Sequence, residues 1–263
     1  MNSTKLISVC IPTYEMRGKG PGFLRESFEI LATQTFKDFD VVISDESKTD
    51  VIKKVCDEFK DILDIKYFKN PDGLNQFATN TNYSIGKATG KLIKILLLDD
   101  FLYDKDSLKH IADNFDLSKD HWLVTACEHS TDGKTFFKPF YPRYNKKIHF
   151  GRNTISSPSV LTVKNDNPLL FDLGLKWYAD CDYYKRCYDQ FRLPKIVQQI
   201  SVVNRIGEHQ TTQTVDMDLK LKEFIHVLRK YYSEPRIKVI LLRRSIRIKI
   251  VHVARLIKKT LCL

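Results

Sequence analysis

The sequence predicts an α/β domain on a mainly parallel sheet flanked by helices, with amphipathic helices at the C-terminal end. Three observations lead there. Short apolar runs alternate with helix-period segments through the first hundred residues, the order of βαβ units. At 263 residues and 43% hydrophobic, the chain can bury one large core, which argues against disorder and coiled coil. Acidic residues close two of the apolar runs, where open parallel sheets place their ligand crevice.

The elements follow in order. Residues 6–12 are apolar and end on Pro12, which predicts a buried strand. A glycine-rich loop (17–22) leads to a helix over 23–33, and Phe39–Ser44 is a second strand ending on Asp45. A helix over 51–59, a strand over 65–68 and a turn at Asn70–Gly73 come next. A helix over 77–88 then leads to a strand over 91–98 that ends on Asp99 and Asp100. In the second half, strands are expected over 121–126, 160–163 and 196–203, with a hairpin turn at 131–133. The aromatic, basic, proline-punctuated stretch 136–150 reads as an ordered loop. Helices are expected over 178–191 and 217–232.

The net charge of +11 is uneven: nine of the 43 basic residues and no acid lie in 236–263, which leaves 34 basic against 32 acidic before it. In that tail Val239, Leu242, Ile246, Ile250, Val253, Ile257 and Leu261 recur at helical spacing. A basic amphipathic helix of this kind fits an anionic membrane surface; the same stripe could instead pack on the protein's own body or on a second subunit. No aromatic residue there could stack on bases, so nucleic acid is not the expected partner. The six cysteines show no metal-finger spacing, and no leader pattern opens the chain, so the expectation is a reduced cytoplasmic protein. The most apolar run, 92–98, contains Lys94 and falls far short of the ~20 residues a spanning helix needs.

Two adjacent carboxylates, Asp99 and Asp100, after an apolar strand are costly without a cation or hydrogen-bond donors. Oxygen donors there suit Mg²⁺ or Mn²⁺ shared with a diphosphate; an ordinary strand-ending turn is the other reading. In order along the chain, Ser-Val-Cys-Ile-Pro-Thr-Tyr (8–14), Val-Val-Ile-Ser-Asp-Glu-Ser (41–47), Asn-Tyr-Ser-Ile-Gly-Lys-Ala-Thr-Gly-Lys-Leu-Ile-Lys (82–94) and the Asp99–Asp100 pair resemble the nucleotide-binding half of family 2 glycosyltransferases. The likeness covers about residues 6–101. Leu97 stands where that family commonly has the first Asp of Asp-x-Asp.

The resemblance implies a GT-A, Rossmann-like fold and an inverting transfer of sugar from a nucleotide-sugar donor to an acceptor hydroxyl. It implies that Pro12, Thr13, Tyr14 and Asn82 line the donor nucleotide, that Asp45 accepts from the base, and that Asp99 touches ribose or sugar. Asp100 would hold the divalent ion, joined by His209 from a late loop. The segment Asp-Cys-Asp-Tyr-Tyr-Lys-Arg (180–186) resembles the family's acidic acceptor-side helix start, with Ala179 in place of its Glu. Asp180 takes the general-base position there; a helix cap is its other reading. Asp180 and Asp182 point to different sides of a helix, so at most one enters the cleft.

The expected organisation is a glycosyltransferase domain over 1–215, with donor half to about 101 and acceptor half beyond it, followed by a helical region with a basic tail over 216–263. The acceptor expected is a glycan or lipid-linked glycan of surface polysaccharide synthesis, met peripherally at the inner face of the cell membrane. Two other classes fit parts of the sequence: a nucleotidyltransferase, echoed by the 17–22 loop, and an inactive membrane-surface scaffold, favoured by Leu97 and Ala179.

Overall fold

The structure is a computed structural model, and it describes residues 4–70, 77–207 and 215–244. Strands β1 (Ile7–Thr13), β2 (Phe39–Asp45), β3 (Ile65–Lys69) and β4 (Leu92–Ile95) pair in parallel in the order β3-β2-β1-β4. Helices α1 (Gly20–Ala32), α2 (Val51–Phe59) and α3 (Phe77–Lys87) are the crossovers between them. β1 and β2 are buried at every residue, as strands covered on both faces must be. Their register sets Thr13 opposite Asp45, so the two strands end level.

The second half continues the same sheet. β8 (Leu161–Lys164) pairs antiparallel with β4, and beyond it lie β6 (Trp122–Ser130), β9 (Lys195–Arg205) and β5 (Phe101–Leu102). Here β6 and β9 are parallel while the other pairings are antiparallel, so the sheet is parallel in its first half and mixed in the second. Successive residues of β1 serve opposite cores: Ile7, Val9 and Ile11 pack under α1, α2 and α4 (Ser107–Asn114), while Cys10 packs toward α3 and α5 (Ala179–Phe191).

Several sequence expectations are corrected. α1 begins at Gly20 rather than Phe23, because Pro21 suits a first helical turn. Gly20 also lies so close to the chain before it that a Cβ would sit 2.2 Å from the Tyr14 carbonyl oxygen. β4 stops at Ile95 rather than Leu98: the Leu97 amide is taken by the Ser159 hydroxyl, and residues 97–100 close a turn. Phe136–Phe140 is not loop but strand β7, an edge strand on β6 that tolerates Pro139. Helix α4 was not anticipated from the sequence. The turn expected at Asn70–Gly73 falls mostly outside the described residues.

α6 (Met217–Arg229) ends before Tyr232, and a further helix starts at 234 and runs through 244. Its body-facing residues are Ile237, 2% exposed, with Ile240 and Leu241, not the stripe seen in the sequence. Of that stripe, Val239 is 47% and Leu242 62% exposed, and the positions from 246 onward lie outside the described residues. Among the described residues no helix is long and apolar enough to cross a membrane. Cys10, Cys56, Cys127, Cys181 and Cys187 are free and buried; Cys262 lies outside the described residues.

Candidate active site

A cleft of about 600 Å³ opens where β1 and β4 end, walled by the turn 97–100, the segment 153–158 and the start of α5. Pro12, Tyr14, Asp99, Asp100 and Asp180 all line it. Thr13, Asp45 and Asn82 do not. The Thr13 hydroxyl donates to the Ser44 carbonyl oxygen at 3.1 Å, tying β1 to β2. Asn82 holds the Phe171 backbone, accepting from its N–H at 2.7 Å and donating to its carbonyl at 2.8 Å. Asp45 is fully buried, and its oxygens accept from the Ser47 amide (2.8 Å), the Tyr67 hydroxyl (2.7 Å) and Lys69 (3.2 Å). His209 lies outside the described residues.

The carboxylate that reaches the cleft at the end of β2 is Glu46, which the sequence reading passed over. Burial, then the neighbouring Asp45, push its carboxyl up to about 7. The signal was present: after a strand ends, the next residue points to the other side, so a pair of acids divides between wall and cavity.

Asp99 and Asp100 sit on the turn after β4. Asp100 is almost wholly buried; its Oδ1 accepts from the Arg205 amide at 2.9 Å and its Oδ2 lies 3.2 Å from the Ser157 hydroxyl. Burial and then Asp99 hold its carboxyl well above the ordinary range. Beneath it, Lys94 is completely buried on the Ser159 carbonyl oxygen, and burial pulls its ammonium down while Asp100 opposes that shift. Two adjacent carboxylates, the inner one disfavoured as an anion, form an oxygen donor set suited to Mg²⁺ or Mn²⁺ that also binds a diphosphate. Among the described residues no cluster of three or more acidic, His or Cys side chains could hold an ion alone.

On the opposite side Asp180 stands in the first turn of α5. Its Oδ1 accepts from the Cys181 amide and its Oδ2 from Asn153 Nδ2, both at 2.6 Å. Burial pushes its carboxyl up to about 6 against those hydrogen bonds. Asp182 turns away, as the helix period requires, onto Arg186 and Lys230 at 2.7 Å each. Asn153 also folds the wall: its Oδ1 accepts from the amides of Ile155 and Ser156, and its Nδ2 donates to the Ser156 carbonyl oxygen. This holds Ser156 at φ 104°, where a side chain is strained. Asn204 then spans Ser156 and Ser157, so a hydrogen-bonded chain runs from Asp180 to Asp100.

The loop before α5 is held from far away. Glu223 of α6, 3% exposed, accepts from the amides of Lys176, Trp177 and Tyr178 at 2.9–3.0 Å. Lys176 and Trp177 line the cleft. No sequence signal marks Glu223 or Asn153, because each works through a partner distant along the chain.

Residues 8–163 match the family Glycosyl transferase family 2. An uncharacterised glycosyltransferase of Methanocaldococcus jannaschii is 28% identical over 194 residues, covering 69% of this chain and 64% of that protein. One of Rickettsia typhi is 24% identical over 228 residues, covering 80% and 66%. The chain therefore spans slightly under two thirds of these relatives. Among solved structures, S. aureus TarS 1–349 in complex with UDP-GlcNAc superposes with TM-score 0.66 at 20% identity, over 85% of this chain and 64% of that one. The mannosyltransferase PcManGT of Pyrobaculum calidifontis, in complex with GDP-Man and Mn²⁺, gives 0.56 at 12% identity, over 79% and 59%. These likenesses give the GT-A fold, and the matched residues run from β1 through β8. The chain belongs to glycosyl transferase family 2.

Proposed function

We propose that this chain transfers a sugar from a nucleotide-sugar donor to an acceptor hydroxyl, with inversion, using Mg²⁺ or Mn²⁺. The observation that carries the reading is Asp180: a carboxylate raised to about 6 lines the same cleft as the Asp99–Asp100 pair. At neutral pH such a carboxylate is ionised yet basic enough to take a proton as an acceptor hydroxyl attacks. An Asp180 oxygen removes that proton, the acceptor oxygen bonds to the anomeric carbon, and the bond to the diphosphate breaks with its electron pair leaving on the diphosphate. A single displacement from the side opposite the leaving group inverts the anomeric centre. Asp100 would hold the ion, which when bound neutralises charge on the departing diphosphate, while Asp99 would touch the ribose or sugar.

The donor half, to about residue 101, would bind the nucleotide along Pro12 and Tyr14, with Glu46 rather than the saturated Asp45 facing the base. Relatives in fold bind UDP-GlcNAc and GDP-Man, which supports a nucleotide-sugar without choosing between them. Turnover or a melting shift with UDP-, GDP- or dTDP-sugars and Mn²⁺, abolished by EDTA, tests this; no response to any of them removes the reading.

The acceptor half, 102–215, would receive a glycan or lipid-linked glycan, with the tail bringing the enzyme to an anionic membrane. The outward Val239 and Leu242 beside Arg236, Lys238 and Arg243 support that, each cation adding about 1 kcal/mol at an anionic leaflet. A V239S/L242S chain should melt like the parent but pellet less with anionic vesicles. Equal pelleting would assign these residues another role.

A further inference from the structure

A second hollow, of about 660 Å³, lies on the far side of the wall that carries Asn153. Arg143, Lys146, Lys147 and Arg152 line it and no acid does. All four are exposed, and among the described residues none of them pairs with an acid. Asp189 acts on Tyr144 in its wall and is itself bound to Lys185. Within the hollow's walls the hydroxyls of Tyr144 and Thr154 are buried with no hydrogen-bond partner among the described residues. Four like charges gathered on one short segment repel one another, and an anion joining them relieves that repulsion.

The position gives the charge a use. Arg152 and Thr154 flank Asn153, each about 3.8 Å from it along the backbone, and Asn153 is bonded to Asp180. The same strip of chain therefore faces the cleft on one side and the cationic hollow on the other. Below the hollow Tyr144 stacks on Tyr188 of α5 with ring centres 4.4 Å apart, which fixes this wall to the helix that begins with the base.

We propose that this hollow binds phosphate groups of the acceptor, so that the acceptor is a phosphate-bearing chain whose reacting hydroxyl lies in the cleft while a neighbouring phosphate sits against Arg143, Lys146, Lys147 and Arg152. Arginine forks match phosphate oxygens in pairs, and lysines add point charge. The proposal rests on the glycosyl-transfer reading of the cleft, and its test needs no turnover.

Lysine acetylation of the full-length protein, in EDTA and read peptide by peptide, reports occupancy of the hollow. Inorganic polyphosphate should slow labelling of Lys146 and Lys147 in the parent, and the protection should drop about tenfold in R143Q/R152Q, in keeping with lost charge-assisted contacts. Vesicles containing phosphatidylglycerol should leave these two lysines reactive while shielding Lys258 and Lys259. Unchanged labelling of Lys146 and Lys147 in polyphosphate would overturn the proposal. So would protection by vesicles alone, which would make the hollow part of a membrane face. Failure of sugar transfer with intact protection would overturn the catalytic reading instead.

Discussion

On the proposed donor side of the cleft, Pro12 and Tyr14 lie at the end of buried β1, fixed by its register with β2 and β4, and Asp99 follows on the turn after β4. On the acceptor side, Asp180 and its loop are held by side chains, Asn153 and Glu223, that reach across 27 to 47 residues of sequence. A backbone ladder resists single substitutions because its hydrogen bonds do not depend on side-chain identity. A wall of side-chain hydrogen bonds concentrates the same task in a few carboxylates and amides. The acceptor side should therefore be the more fragile to mutation.

The sharpest way to expose the difference is Asp180→Asn. Removing the proposed base should cut kcat by about 10²–10⁴ while leaving donor affinity, measured calorimetrically, unchanged. In the parent, protonation of Asp180 below its raised value should depress kcat/KM about tenfold per pH unit below about pH 6, with a plateau above. A profile flat through pH 5 would assign the base elsewhere.

Glu223→Gln attacks the acceptor side without touching the cleft. One oxygen acceptor replaces two under three amides, which should cost about 1.5–3 kcal/mol of stability and lower kcat more than it changes donor KM. An unaltered melting temperature would break the comparison. On the donor side, Glu46→Gln should weaken donor binding by about tenfold, whereas Asp45→Asn should lower stability with little direct loss of donor contact. The reverse pattern would restore Asp45 as the residue that meets the base. The smallest effect is expected from Thr13→Val, about 1 kcal/mol in chemical denaturation with kcat preserved, because its hydroxyl ties strand to strand.

The same contrast explains what the amino-acid sequence made legible. β1, β2 and α2 could be placed because two-sided burial leaves continuous apolar runs and helix spacing is periodic. Asp99, Asp100 and Asp180 were legible as acids at element boundaries. Asp45, expected at the base, is instead buried in the wall beside Glu46, because the sequence does not show which of two adjacent acids turns into the cleft. β7 hid behind Pro139, which only an edge position accommodates. The stripe of the last helix was visible, but which face meets the body depends on the partner surface; Ile237, Ile240 and Leu241 fill that place instead.

The Glu223 contact also sets an order of events during synthesis. The glutamate lies 45 to 47 residues beyond the amides it holds, so at roughly 5–20 residues per second it leaves the ribosome on the order of several seconds after them. By then all four parallel strands have emerged, and a nascent chain can already present the donor wall. The loop before Asp180 waits for α6. On the proposed function, a growing polypeptide would hold a donor before it could use one, and transfer would become possible only as the final helices are made.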